Sequence, residues 1–167
     1  MFNFVTSGPI EQQDRLASFA RGSHFRDALS ANINHLFMTP SQLQHGIFAH
    51  MPSWVNTLMS IRNRVVKWFG FNTSENTMVP ESIELDVGDT AGFMHVIAKY
   101  PEEIISYAED RHMAFYLSVS KRNNKVIVST LVNQKTVIGR LYVTSILPFH
   151  YIIARAVIHS AVKAQRI

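Results

Sequence analysis

The chain has 167 residues, enough for one domain with a substantial core, and 47% of them are hydrophobic against 17% charged. Its formal net charge of +4 comes from cations placed singly or in pairs, such as Arg62 with Arg64 and Lys121 with Arg122, which argues against nucleic-acid binding. There is no cysteine, which excludes disulfides, thiolate metal sites and a cysteine nucleophile.

Residues 1–22 read as a loosely structured N-terminal segment, because Gly8-Pro9 breaks the run and only EQQDRLASFA favours a short helix. No charged n-region or apolar h-region marks a secretory signal, and no window reaches the roughly 18 consecutive apolar residues of a membrane span. The expectation is a soluble, cytoplasmic protein without stable membrane insertion. Residues 23–167 read as a single domain.

A first strand is expected from His24 to Ile33. Thr39 then offers a helix cap, with Pro40 at the favoured first helical position, and Pro52 ends that helix. A second helix is expected from Ser53 to Phe69, with Trp54, Val55, Leu58, Met59, Ile61, Val65, Val66 and Phe69 near helical spacing and Gly70 as its stop.

From Ser82 the pattern turns to strands. Ile83, Leu85 and Val87 alternate, and Gly88-Asp89 turns the chain. Further strands are expected at Gly92–Tyr100, Glu103–Ala108 and His112–Ser120. In the last of these, Met113, Phe115, Leu117 and Val119 face one way, and His112, Ala114, Tyr116 and Ser118 the other. Arg122-Asn123-Asn124 is a hairpin turn, since Asn tolerates positive φ. Lys125–Asn133 answers it, and Ile138–Leu147 is expected as the last strand. The terminal helix is expected to start near Pro148, with Phe149, Ile152, Ile153, Ala156, Val157 and Ser160 on its apolar arc. Tyr151, Arg155, His159 and Arg166 fall on the opposite side. Short connections favour an antiparallel meander.

The order is strand, two helices, six strands, long helix: an α+β fold whose closing helix must lie back on the sheet. It is similar to the helix-grip fold of the START and birch-pollen-allergen superfamily, from about His24 to Ala164. Three stretches also resemble a family of uncharacterised bacterial domains within that superfamily. They are Trp54-Val55 through Arg62-Asn63, Asp110-Arg111-His112 with Phe115, and Gly139-Arg140-Leu141-Tyr142 through Pro148-Phe149-His150. The resemblance implies a curved antiparallel sheet of six to seven strands, two short helices after the first strand, and a gripped long helix. It also implies binding of an apolar ligand, and it transfers no catalytic residue.

Eight histidines invite a metal, but their spacing does not. His45 and His50 point about 140° apart on a helix, and His150 and His159 fall on opposite faces. No H-E-x-x-H, G-x-S-x-G, G-x-G-x-x-G or P-loop pattern occurs, so no metal and no cofactor is expected. Asp110-Arg111-His112 has two readings. Arg111 or His112 is a polar anchor at a cavity mouth, or the tripeptide is a structural turn with His112 facing outward. His150 either lines a cavity or caps an edge beside Pro148 and Phe149. Asp27 is either a buried carboxylate or a surface one.

Phe48, Trp54, Phe93, Tyr107, Phe115, Tyr142 and Phe149 are the aromatic residues expected to converge on the interior. The leading functional expectation is therefore a small apolar ligand, lipid-like, polyketide-like or aromatic, held between sheet and terminal helix. Arg111, His112, His150, Tyr107 and Tyr142 would be its polar orienters. One alternative is a cyclase- or isomerase-like enzyme using His150 or Asp27 as its acid–base group. The other is a non-enzymatic interaction domain with a filled core, docking through Arg62, Arg64 and Lys67 to an acidic partner or an anionic membrane surface. An apolar edge strand leaves a homodimer open.

Overall fold

The computed structural model describes residues 4–8, 14–67 and 78–167. Seven strands form one antiparallel sheet: β1 (Val5–Ser7), β2 (His24–Asn32), β3 (Thr90–Ala91), β4 (Met94–Tyr100), β5 (Glu103–Glu109), β6 (Met113–Arg122) and β7 (Lys125–Gln134). Their spatial order is β1-β2-β7-β6-β5-β4-β3. The consecutive strands β3 to β7 form a meander, and β2 returns to pair with β7 along its whole length, from His24 opposite Asn133 to Asn32 opposite Lys125. Among the described residues, three α-helices accompany the sheet: α1 (Pro40–Phe48), α2 (Ser53–Lys67) and α3 (Val137–Lys163).

Local chemistry explains most boundaries. Thr39 accepts from the Gln42 amide, and the Gln42 side chain accepts from the Thr39 amide, a reciprocal capping box that starts α1 with Pro40 in its first turn. Asn123 and Asn124 both take positive φ (46° and 61°), the geometry a two-residue hairpin between β6 and β7 requires. Gly92, at φ 71°, opens the equally tight turn from Ala91 to Met94.

The two faces of the sheet bury different clusters. On one, Leu29, Val96, Ile104, Leu117, Val119 and Val128 pack against Leu43 and Ile47 of α1, Val55 of α2, and Val157, Ile158 and Ala161 of α3. Each such aliphatic residue contributes about 1.5–3 kcal/mol by leaving water. On the other face, Leu16 of a 3₁₀ turn (Arg15–Phe19) covers Ile105 and Leu131. There Glu103, almost fully buried, accepts from Arg15 and from the Ser118 hydroxyl, each at 2.6 Å. The alternation expected along β6 holds: Phe115, Leu117 and Val119 join the helix-facing cluster, and Tyr116 the opposite one.

Two expected strands are not strands. Residues 138–147 belong to α3, which begins at Val137 and runs through Pro148 without a break. Thr136 caps it, accepting from the Gly139 amide at 3.1 Å. Gly139, Val143, Val157 and Ala161 are buried at helical spacing on both sides of the proline. Pro148 imitates a boundary because proline in a helix interior is costly, and the β-branched run before it imitates a strand. Residues 82–87 form an irregular stretch instead. Only Leu85 is buried, while Ile83 and Val87 are exposed, and the following turn is held by bonds between Asp86 and Asp89 and by bonds of Gly88 and Asp89 to the backbone of Val96. The expected helix stop at Phe69-Gly70 lies outside the described residues.

The terminal helix also presents a different face from the expected one. Ala156 and Val157 are buried, but Phe149 and Ile152 are more than half exposed. The inward stripe runs instead through Val143, His150, Ala154, Val157, Ile158 and Ala161, because the helix begins eleven residues before Pro148 and is seated by Gly139.

Candidate functional site

The first turn of α3 rests on the tight turn at Asp110–His112. The Asp110 carboxylate accepts from the backbone amides of His112 (2.7 Å) and Met113 (2.9 Å). The His112 ring is buried, with Nδ1 3.0 Å from Thr136 Oγ1, and its carbonyl accepts from the Lys135 amide at 2.9 Å. A β-carbon on Gly139 would stand 2.4 Å from that same carbonyl oxygen, so only glycine lets the helix approach so closely. His112 thus joins a turn to a helix start, and it is buried rather than facing outward. Arg111 is exposed beside it.

Further along α3, the helix-facing side of β2 carries Phe25, Asp27 and Leu29 in alternation. His150 Nε2 lies 3.2 Å from Asp27 Oδ2, joining residues 123 apart in sequence. An ionised carboxylate only accepts hydrogen bonds, so in this contact the imidazole donates from Nε2 to Asp27. Both side chains are largely shielded, with 23% and 11% of their surfaces exposed. The Phe25 ring meets the imidazole edge-on, with centroids 5.3 Å apart.

The same face continues across the sheet. Phe25 lies opposite Val132, which lies opposite Phe115, and Phe115 packs on Phe93 with centroids 5.8 Å apart. Phe25, Phe93 and Phe115 are all half-buried, in contrast to the sealed aliphatic cluster around Ile104 and Val119. Arg62 of α2 donates from Nε to the Tyr142 hydroxyl of α3 at 2.5 Å, and its Nη1 donates to Asn63. Burial pushes the Tyr142 phenol above its ordinary pKa of 10.0, and Arg62 opposes that shift.

The structure brings together Asp27 with His150, Phe93 with Phe115, and Tyr142 with Arg62. The other expected residues lie apart. Phe48 is a core residue at the end of α1. Trp54 is exposed on α2, and Phe149 points outward from α3. Tyr107 lies on the opposite face, ring against ring with Tyr116 at 4.8 Å, and burial there, followed by its bond to Glu109, raises its pKa. Sequence reading missed Phe25 and the pairing of Arg62 with Tyr142. The alternation of β2 signals the first, while the second depends on how α2 crosses α3 and has no local signal.

Two of the depressions that the described residues form lie apart from this face of the sheet. One, of about 30 Å³, holds one water-sized space on the face opposite α3, between Asp14, Glu103, Ser118 and Ser129. The other is an open groove of about 570 Å³ between the loop Asn34–Met38, Gln42 and Arg166. Neither is lined by the Asp27–His150 pair.

Residues 19–157 match the family model described as a protein of unknown function, DUF2867. None of the curated proteins matches the chain. Among solved structures, the chain is similar to a protein from Rhodobacter sphaeroides determined by a structural genomics consortium, at 17% identity over 98% of this chain and 99% of that one, with a TM-score of 0.42. The family model spans most of the chain, including β2, both short helices, β3 to β7 and most of α3, and the protein belongs to the DUF2867 family.

Proposed function

We propose that the protein binds a small, largely apolar molecule carrying one hydroxyl group, between the first half of α3 and the sheet, in the manner of a helix-grip domain. The observation that carries this reading is the Asp27–His150 pair. A carboxylate and an imidazole stand hydrogen-bonded at 3.2 Å on the helix-facing side of the sheet, where Leu29 and Ala31 of β2 are buried in the aliphatic core. Burying such a pair costs desolvation that two well-packed hydrocarbons would avoid. It earns its place by presenting an oriented acceptor, His150 Nδ1, to a ligand hydroxyl. The rings of Phe25, Phe93 and Phe115 supply apolar wall, and their half-burial leaves surface for a ligand to cover. Release and entry proceed by movement of α2 and the start of α3, which parts the Arg62–Tyr142 hydrogen bond.

A second reading rests on the same pair. Asp27 fixes the imidazole tautomer and leaves Nδ1 as a base, the arrangement an isomerase or cyclase uses to move a proton.

Thermal unfolding with paired probes tests the binding reading. A hydroxylated probe at about a hundred times its Kd stabilises the native state by about 2.7 kcal/mol, a rise of roughly 5–10 °C in a domain of this size. Dodecanol and 2-naphthol should raise the midpoint, and naphthalene should raise it less. Unchanged midpoints with every hydroxylated alkyl and aromatic probe would remove the proposal.

A further inference from the structure

α3 is apolar on two opposite sides. By length and composition it would suffice to cross a membrane, yet only 22% of its most apolar window is buried. Gly139, Val143, Val157 and Ala161 face the sheet. Val137, Leu141, Pro148 and Ile152 fall about 180° away, at 100° per residue. Val137 and Leu141 are each 68% exposed and Ile152 is 51% exposed, with Ile138 and Phe149 on the same outward arc. A helix that packs on a sheet normally carries polar residues there. Between these apolar residues the outward side carries the exposed, uncharged Thr144 and Ser145, and its charges beyond Ile152 are Arg155 and Lys163.

Charge is segregated in the same region. α3 carries Arg140, Arg155 and Lys163, and α2 carries Arg62, Arg64 and Lys67. Neither helix contains an Asp or Glu, although the chain has 12. The two helices meet through Arg62 and Tyr142. An apolar helix face whose own helix and neighbouring helix carry cations but no carboxylate complements a surface with an apolar interior and an anionic boundary.

We infer that the outward face of α3 docks on an anionic lipid bilayer. Val137, Leu141, Phe149 and Ile152 enter the acyl boundary, and Arg140 and Arg155 meet lipid phosphates. The helix lies along the surface rather than across it, because its inner stripe is committed to the sheet. A second copy of the chain is a poorer occupant. Two-fold pairing along α3 would set Arg140, Arg155 and Lys163 against the same cations, with no carboxylate on the helix to compensate. The inference is independent of ligand binding under α3.

Vesicle flotation of the full chain tests it. The protein should float with vesicles of phosphatidylcholine containing about one-third phosphatidylglycerol, far less with phosphatidylcholine alone, and less as salt rises. Leu141→Glu with Ile152→Glu should lower the partition coefficient about tenfold or more per substitution. Both side chains are mostly exposed, so the thermal midpoint should be retained. Arg140→Glu, at an exposed position, should weaken binding to anionic vesicles specifically and serves if the double variant fails to fold. Absence of flotation at low salt, equal flotation with neutral vesicles, or unaltered binding by folded variants would overturn the inference. So would a wild-type dimer that the double variant dissolves while neither protein floats, because the face would then belong to a second copy.

Discussion

Replacing Gly139 with alanine should destabilise the protein by about 1–3 kcal/mol, lowering its thermal midpoint by roughly 3–10 °C. The sign is the informative part. In an ordinary helix interior, glycine to alanine stabilises by about 1 kcal/mol, because alanine is the better helix former. Here the added carbon would stand 2.4 Å from the His112 carbonyl oxygen, and 3.2 Å from the carbon behind it. That obstacle is backbone, and it is fixed by the Asp110 bonds to the amides of His112 and Met113 and by the Lys135 amide. The helix start must therefore move, and the Thr136 cap with it. Gly8→Ala provides the control, since nothing lies within 4 Å of the position its β-carbon would occupy. A Gly139→Ala midpoint equal to or above that of the wild type would show that the start of α3 does not rest on the Asp110–His112 turn.

The second large effect concerns binding. Asp27→Ala should weaken affinity for hydroxylated apolar probes by about tenfold to a hundredfold, the worth of a hydrogen bond involving a charged group. Without the carboxylate, nothing holds the proton on His150 Nε2, and the ring no longer presents Nδ1 in one orientation. A purely structural pair would behave differently. Its loss would lower stability, yet the affinity of the remaining folded protein for 2-naphthol, measured by calorimetric titration, would be unchanged. The non-hydroxylated probe naphthalene should lose little in either case, so the ratio of the two affinities separates orientation from unfolding.

Much of the architecture was legible in the sequence because single residues dictated it. The pair Thr39-Pro40 has few uses other than starting a helix, and Asn123-Asn124 few other than closing a hairpin. The alternation along β6 was equally direct, since its two faces bury different clusters. The start of α3 was not legible, and the cause is physical. Periodicity reveals a helix most clearly when its outward side is polar, whereas Val137, Ile138, Leu141 and Ile152 place large apolar residues on the outward side of this one. The run Val143-Thr144 through Ile146 then reads as a strand, and Pro148 as its end, although Thr136 and Gly139 were the decisive residues. Residues 82–87 misled in the opposite way, offering alternation where only Leu85 found a partner surface.

The candidate site was legible in parts. Asp27 and His150 could each be singled out, but their contact depends on where α3 crosses β2, a tertiary relation with no local trace. Phe149 was expected inside because it follows Pro148, and it points outward because the helix phase is set eleven residues earlier. The polar anchors expected at Arg111 and His112 became an exposed turn residue and a structural clasp. The convergence of Tyr142 with Arg62 required both helices to be placed first.

The most direct test of a ligand between α3 and the sheet is native mass spectrometry of the purified chain. The account predicts a bound small molecule that leaves under denaturing conditions, proves largely apolar with a hydroxyl group, and is depleted in protein carrying Asp27→Ala. A wild-type spectrum at the bare chain mass that stays there after incubation with dodecanol and 2-naphthol would contradict it.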